Sequence, residues 1–181
     1  MDALGNFIFA MAQWLRTTPL NKFSIWLSNT PASMVVQTHF WFIPIVQTIH
    51  ILAISAAFGS VLMINLRILG LIGGYRTMSE TARRFLPWVW WALLTLLITG
   101  LFMVLGEPIR ELINPVFWMK MVMVIFAVLI SIWFQSSVRK NIAWWELTQE
   151  RRVLVRIGSV CVICLWLVIM LAGRWIAYAP V

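Results

Sequence analysis

The chain has 181 residues, 62% of them apolar and 11% charged, with 12 Trp and a mean hydropathy of +0.90. So little charge cannot cover a water-soluble domain of this size. The net charge of +8 would point a soluble chain toward nucleic acid; here most of it sits in two loops, where membrane topology accounts for it and nucleic acid is not expected as a partner.

Residues 1–38 read as an amphipathic segment lying at the outer membrane interface. Leu4, Phe7, Ile8, Met11, Trp14 and Leu15 recur at helical spacing, a second short piece covers Phe23 to Leu27, and Asn29-Thr30-Pro31 breaks the chain. Asp2 stands where a signal peptide carries basic residues, and Gln13 and Arg16 interrupt the apolar stretch, so the segment is expected to be retained. Packing against a neighbouring subunit is the alternative to the interface.

From there the chain is organised by runs without Asp, Glu, Lys or Arg: 23–66, 85–106, 121–138 and 157–173. A bilayer core takes about 20 apolar residues in helix, and Lys120 and Arg174 can extend the shorter runs by snorkelling. Residues 39–181 therefore read as a domain of four transmembrane helices, at about 39–66, 83–105, 115–136 and 152–177. The fold class is all-α, an integral membrane four-helix bundle with an N-terminal amphipathic interfacial helix. Pro44 is expected to kink helix one near its start, and Pro87 to sit in the first turn of helix two, where its missing N–H is harmless. Gly70, Gly73 and Gly74 end the first span. Trp88, Trp90, Trp91, Trp118, Trp133, Trp175 and Tyr178 suit interfacial belts, and Ile142 to Leu147 a short amphipathic stretch on the inner side.

Arg67, Arg76, Arg83 and Arg84 follow the first span, and Arg139, Lys140, Arg151, Arg152 and Arg156 surround the third loop, whereas Glu107, Arg110, Glu111 and Lys120 leave the second loop neutral. The positive-inside bias puts the first and third loops in the cytoplasm and both termini in the periplasm, as in a multi-pass protein of a bacterial inner membrane.

His39 and His50 are the two histidines, and both are expected on helix one. Over their separation of eleven residues a helix turns through roughly 1100°, which leaves both rings on one face, roughly 16 Å apart along the axis. His39 would stand at the outer boundary and His50 inside the hydrocarbon, where an ionisable group is a functional-site hypothesis by default. Imidazole ligates haem iron and apolar walls hold the ring. Ala53, Ala57 and Ser60 follow His50 at small-residue positions that would leave room for a porphyrin, and Arg110, Lys120 and Arg174 stand at the outer helix ends, where they would meet propionates. The suspected cofactor is haem b, with His50 as axial ligand.

A second ligand is harder to find, because helices two to four hold no histidine. Met119 and Met123 are candidates, as is His50 of a second copy or a ligand from another protein; His39 would hold a separate haem or simply bond at the interface. Against haem stands a structural His50 bonded to a serine, threonine or backbone carbonyl. Copper is a further option through His50, His39, Met119 and Met123, since thioether suits Cu(I), as is proton handling at His50. Trp14, Trp41 and Trp118 would line an outer pocket or simply serve as belt residues. Cys161 and Cys164 read as buried small hydrophobes. No hydrolase set and no phosphate or dinucleotide loop is present in the sequence.

The stretch from His50 to Gly70, with Gly59-Ser60 and then Asn65-Leu66-Arg67-Ile68-Leu69-Gly70, resembles a group of small bacterial four-helix membrane proteins of uncharacterised activity, and distantly the copper-resistance-D-type and cytochrome b561-like proteins. Asn65 stands where that group typically has Asp, while Arg67 and Gly70 match. The resemblance implies a four-helix fold. Cytochrome b561-like proteins carry histidines on several helices, so by comparison this chain would hold one haem at most, or share one between copies.

Three functions stay open. The first is a haem-b electron-transfer subunit passing electrons between quinol or a membrane partner and a periplasmic acceptor. The second is a non-enzymatic anchor or scaffold of a larger complex, and the third is copper or small-solute transport. A homo-oligomer or larger membrane complex, with lipid around it, is expected.

Overall fold

Proline and threonine divide the first forty residues into three helices: α1 (Ala3–Thr17), α2 (Pro19–Ser28) and α3 (Pro31–Thr38). Thr18 and Thr30 stand as N-caps, and Pro19 and Pro31 open the first turns, where a missing N–H removes no helical bond. The Thr30 hydroxyl also accepts the Ser33 backbone N–H at 3.4 Å. The computed structural model describes residues 3–72, 78–140 and 149–176. Gly73, Gly74, the stretch Ile142 to Leu147 and Tyr178 lie outside them.

The expected single apolar face of α1 divides. Ile8, Ala12 and Leu15 are buried, whereas Phe7 and Trp14 are exposed. Ile8 packs with Val116 and Ile176, at the ends of two later helices. α3 is fixed to the helix that ends at Gly106: the buried Ser33 Oγ donates to the Leu105 carbonyl at 2.6 Å and accepts from Gln37 Nε2 at 2.7 Å. The three helices thus form a cap tied to the ends of the bundle, with Phe7, Trp14, Phe23 and Trp26 on its outer surface.

The bundle consists of α4 (Phe42–Ile68), α5 (Met78–Gly106), the short α6 (Pro108–Leu112), α7 (Pro115–Lys140) and α8 (Gln149–Trp175). Four helices are long and apolar enough to cross a membrane, over Phe42–Ile68, Glu80–Gly106, Pro115–Trp133 and Arg156–Trp175. Among the described residues there is no strand. The molecule is an all-α, multi-pass membrane protein.

Two proline readings need correction. Pro44 falls in the first turn of α4, where no helical N–H partner is lost, so the helix starts there rather than being kinked by it. Pro87 lies inside α5, because the helix begins several residues earlier than expected; membrane helices tolerate such a break.

α4 packs along α5, α7 along α8, and α4 also meets α8. Ala57 and Val61 of α4, Val89 and Ala92 of α5, Ala127 of α7 and Trp166 and Ile169 of α8 form the central cluster. Three alanines from three helices leave the volume that the Trp166 indole takes up. At the end of the bundle that carries α1 to α3, Gly106 lets α5 close on α4, since a Cβ there would run into the Ile43 side chain. Asn114, fully buried, joins α7 to α8: its Nδ2 donates to the Ile176 carbonyl at 3.2 Å, and its Oδ1 accepts the Val116 N–H at 3.0 Å. Ile51, Leu52, Leu97, Leu101, Ile125, Leu129 and Leu171 are exposed, as a lipid-facing surface requires.

Candidate functional site around His50

His50 lies in the first half of α4, about 12 Å along the axis from the first residue of that helix. Its ring meets α5 at Thr99 and Gly100. Nδ1 is 2.7 Å from Thr99 Oγ1, and a Cβ on Gly100 would come to 3.8 Å from the ring Cε1. The Thr99 hydroxyl has one hydrogen, and its oxygen lies 2.7 Å from the Thr95 carbonyl, an acceptor that cannot donate. The hydroxyl therefore donates to Thr95 and accepts from His50 Nδ1–H. This assigns the tautomer: Nδ1 carries the proton and Nε2 keeps its lone pair. Nε2 has no hydrogen-bond partner among the described residues.

His39 is not on this helix. It is the C-cap of α3, in an extended conformation, and the chain turns at Phe40 and Trp41 before α4 begins. The shared-face argument for the two histidines therefore fails, since it required one continuous helix. The His39 Nδ1 is 2.8 Å from the Val35 carbonyl, and its ring meets Trp41 edge-on. It is exposed.

Ala53, Ala57 and Ser60 are buried, and Ala57 belongs to the central helix–helix cluster. At Ala57 the small side chain is used by the chain's own helices. Met123 packs against that same cluster, while Met119 is half exposed. Among the described residues no group of three or more His, Cys, Asp or Glu could hold a metal ion. Cys161 and Cys164, expected to be buried, are exposed on α8 and free. Trp118 is tied down, its indole N–H donating to the Leu112 carbonyl at 2.9 Å, and Trp14, Trp41 and Trp118 are all exposed.

The three outer cations differ. Arg110 forms an exposed ion pair with Glu107 on the neutral loop. Arg174 is exposed near the end of α8. Lys120 turns inward: its stem lies 3.7 Å from where a Cβ on Gly173 would stand, and its charge acts on both Glu111 and His50. Burial pushes the Glu111 carboxyl above the usual carboxylate range, against the opposing pull of Lys120 and Arg110.

The hydroxyl partner that the structural alternative allowed His50 is Thr99, a residue the sequence did not single out. Its signal was available: a histidine in hydrocarbon needs a donor or acceptor, and α5 offers Thr95 and Thr99 as its hydroxyls at that depth. Residues 40–179 match the family of unknown function DUF6644, and the chain belongs to that family. No curated protein and no solved structure matches it.

Proposed function

We propose that this family member is an electron-transfer subunit of a bacterial inner membrane that holds haem b through His50 Nε2. Both termini would lie in the periplasm, and electrons would pass between quinol or a membrane partner and a periplasmic acceptor. The observation that carries the reading is the tautomer. Ligating histidines characteristically donate their second ring N–H to an oxygen, which fixes the ring and leaves the other nitrogen basic, and Thr99 provides that oxygen. A structural histidine would have the same bond at Nδ1, so the two readings part at Nε2 alone.

His50 would hold the iron through Nε2; with His39 held on the cap side and Met123 packed against the helix core, a further ligand would come from the half-exposed Met119 or from outside the chain. A ligand from outside would require a homo-oligomer or larger complex. When bound, haem supplies reversible one-electron chemistry. His50 would anchor it, Thr99 would orient the His50 ring, and the buried Ala57 and Ala92 keep α4 packed on α5. The likeness of plan to cytochrome b561-like and copper-resistance-D-type proteins supports the reading by analogy only. The test is an oxidised and dithionite-reduced absorption spectrum of the protein purified with its partners. The expected result is a Soret band that disappears in His50→Ala; a colourless complex contradicts the proposal, and so does a band that survives the substitution.

A second reading, an anchor or scaffold subunit without cofactor, is favoured by one observation. Ala57 is used by the helix core, and Ala53 and Ser60 are also buried, while Thr48, Leu52 and Ser55 are exposed on α4 beside Gly59, where a Cβ would meet nothing within 4 Å. Such a seam suits contact with another membrane helix. It predicts a colourless protein in fixed stoichiometry with a partner after mild detergent extraction.

A further inference from the structure

Among the described residues Lys120 has no hydrogen-bond acceptor and no ion-pair partner. It lies on α7 about 8 Å along the axis from Pro115, within a stretch that spans the membrane. A lysine at that depth ordinarily snorkels to water. This one is shielded instead, its stem against Gly173 and its ammonium 5.9 Å from the centre of the Phe117 ring. Glu111 is close enough to exert charge on it, but the two form no ion pair, and Lys120 has no hydrogen bond among the described residues. Arg110, which is also near Glu111, is paired with Glu107.

An ammonium sheltered at the edge of the hydrocarbon needs an anionic oxygen to offset its lost hydration. Ile8 of α1 packs on Val116 and Ile176, at the ends of α7 and α8 near which Lys120 and Gly173 stand, so the cap sits on the end of the bundle that holds the lysine. A molecule with an apolar body can enter sideways from the bilayer and keep its tail in lipid.

We propose that Lys120 binds the acidic oxygen, carboxylate or phosphate, of a membrane amphiphile that enters laterally beneath the cap formed by α1 to α3. That oxygen has two sources: the phosphate of an anionic phospholipid, or a propionate of haem. The phospholipid case stands without the haem reading; the propionate case rests on it.

The test compares retention of phosphatidylglycerol and phosphatidylcholine by the full-length protein in native mass spectrometry, haem-free and after adding haem. Haem-free wild-type protein is expected to prefer phosphatidylglycerol. Lys120→Gln should weaken that preference roughly ten- to a hundredfold, the weight of one charge-assisted hydrogen bond. Lys120→Arg should keep it, and Arg16→Gln on the exposed side of α1 should leave it unchanged. Loss of the preference when haem is added assigns the site to a propionate, and persistence assigns it to phospholipid. Equal retention of the two lipids by haem-free wild-type protein overturns the proposal, as does an unchanged preference in Lys120→Gln. If Lys120→Gln does not fold, the wild-type and Lys120→Arg comparisons decide alone.

Discussion

Thr99 has one hydrogen to give and gives it to its own helix, which turns a common helix-stabilising threonine into an acceptor for a neighbouring ring. Thr99→Val removes that acceptor and leaves His50 Nδ1–H unsatisfied, at a cost of about 1–3 kcal/mol. It should also weaken haem retention by roughly 10–100-fold, as loss of a supporting partner does at metal-bound histidines. Thr99→Ser should restore both, read by melting in detergent and by haem titration; wild-type behaviour in Thr99→Val would show the bond to be idle. Glu111 carries the pH dependence. Its folded-state pKa is raised, so its contribution to stability is fully present below the ordinary value of 4.5 and is lost as pH rises through the folded value. Glu111→Gln stays neutral throughout, so its melting temperature relative to wild type should climb as pH rises above 4.5 and through the raised folded value. A constant difference would mean that burial does not act on this carboxyl. That His50 mattered was legible from one ionisable group in an apolar run. Its partner was not, because a threonine in a membrane helix bonds its own carbonyls by default and nothing in the sequence distinguishes the one that also receives.

α4 and α5 approach closely where Gly106 faces Ile43. Gly106→Ala forces the Ile43 side chain to move and should cost about 1–3 kcal/mol, as overpacking does. In an Ile43→Val background the crowding methyl is gone and the cost should fall, a non-additive pair in a double-mutant cycle. Simple additivity of the two would place the contact elsewhere. At this scale the sequence was most readable, since the charge-free runs located the four spans and the loop arginines marked where they stop. Helix starts were less so. α4 begins at Phe42, which excludes His39, because the chain turns at Phe40 and Trp41 and Pro44 then sits comfortably in a first turn. Pro44 thus stands in a first turn and Pro87 inside a helix, the reverse of the places expected for them. The first cap helix was read with a single apolar face because hydrophobic spacing alone does not show that Ile8 and Phe7 part company, one toward the bundle and one outward.

Across the whole molecule, four apolar helices enclose a core of alanines around Trp166 and present large apolar side chains outward. Nothing in that surface asks for water between the spans, and the arginine-rich segments at one end set the orientation expected of the chain. A reporter enzyme that is active only outside the cytoplasm should work when fused after Val181 and fail when inserted between residues 141 and 148; the reverse pattern would invert the topology and place Lys120 on the inner side. The expected pattern would place the cap, the inward lysine and His50 together in the outer half. The measurement closest to the heart of the matter is the protonation of a single ring. With ring-nitrogen-15 histidine incorporated into haem-free His39→Gln protein, His50 is the one imidazole left, and nuclear magnetic resonance reads its two nitrogens separately. A protonated Nδ1 beside a bare Nε2 is the expected result, and that nitrogen should lose its signal when haem is added. A proton on Nε2 with Nδ1 bare would contradict the Thr99 geometry and remove the ligand on which the electron-transfer reading stands.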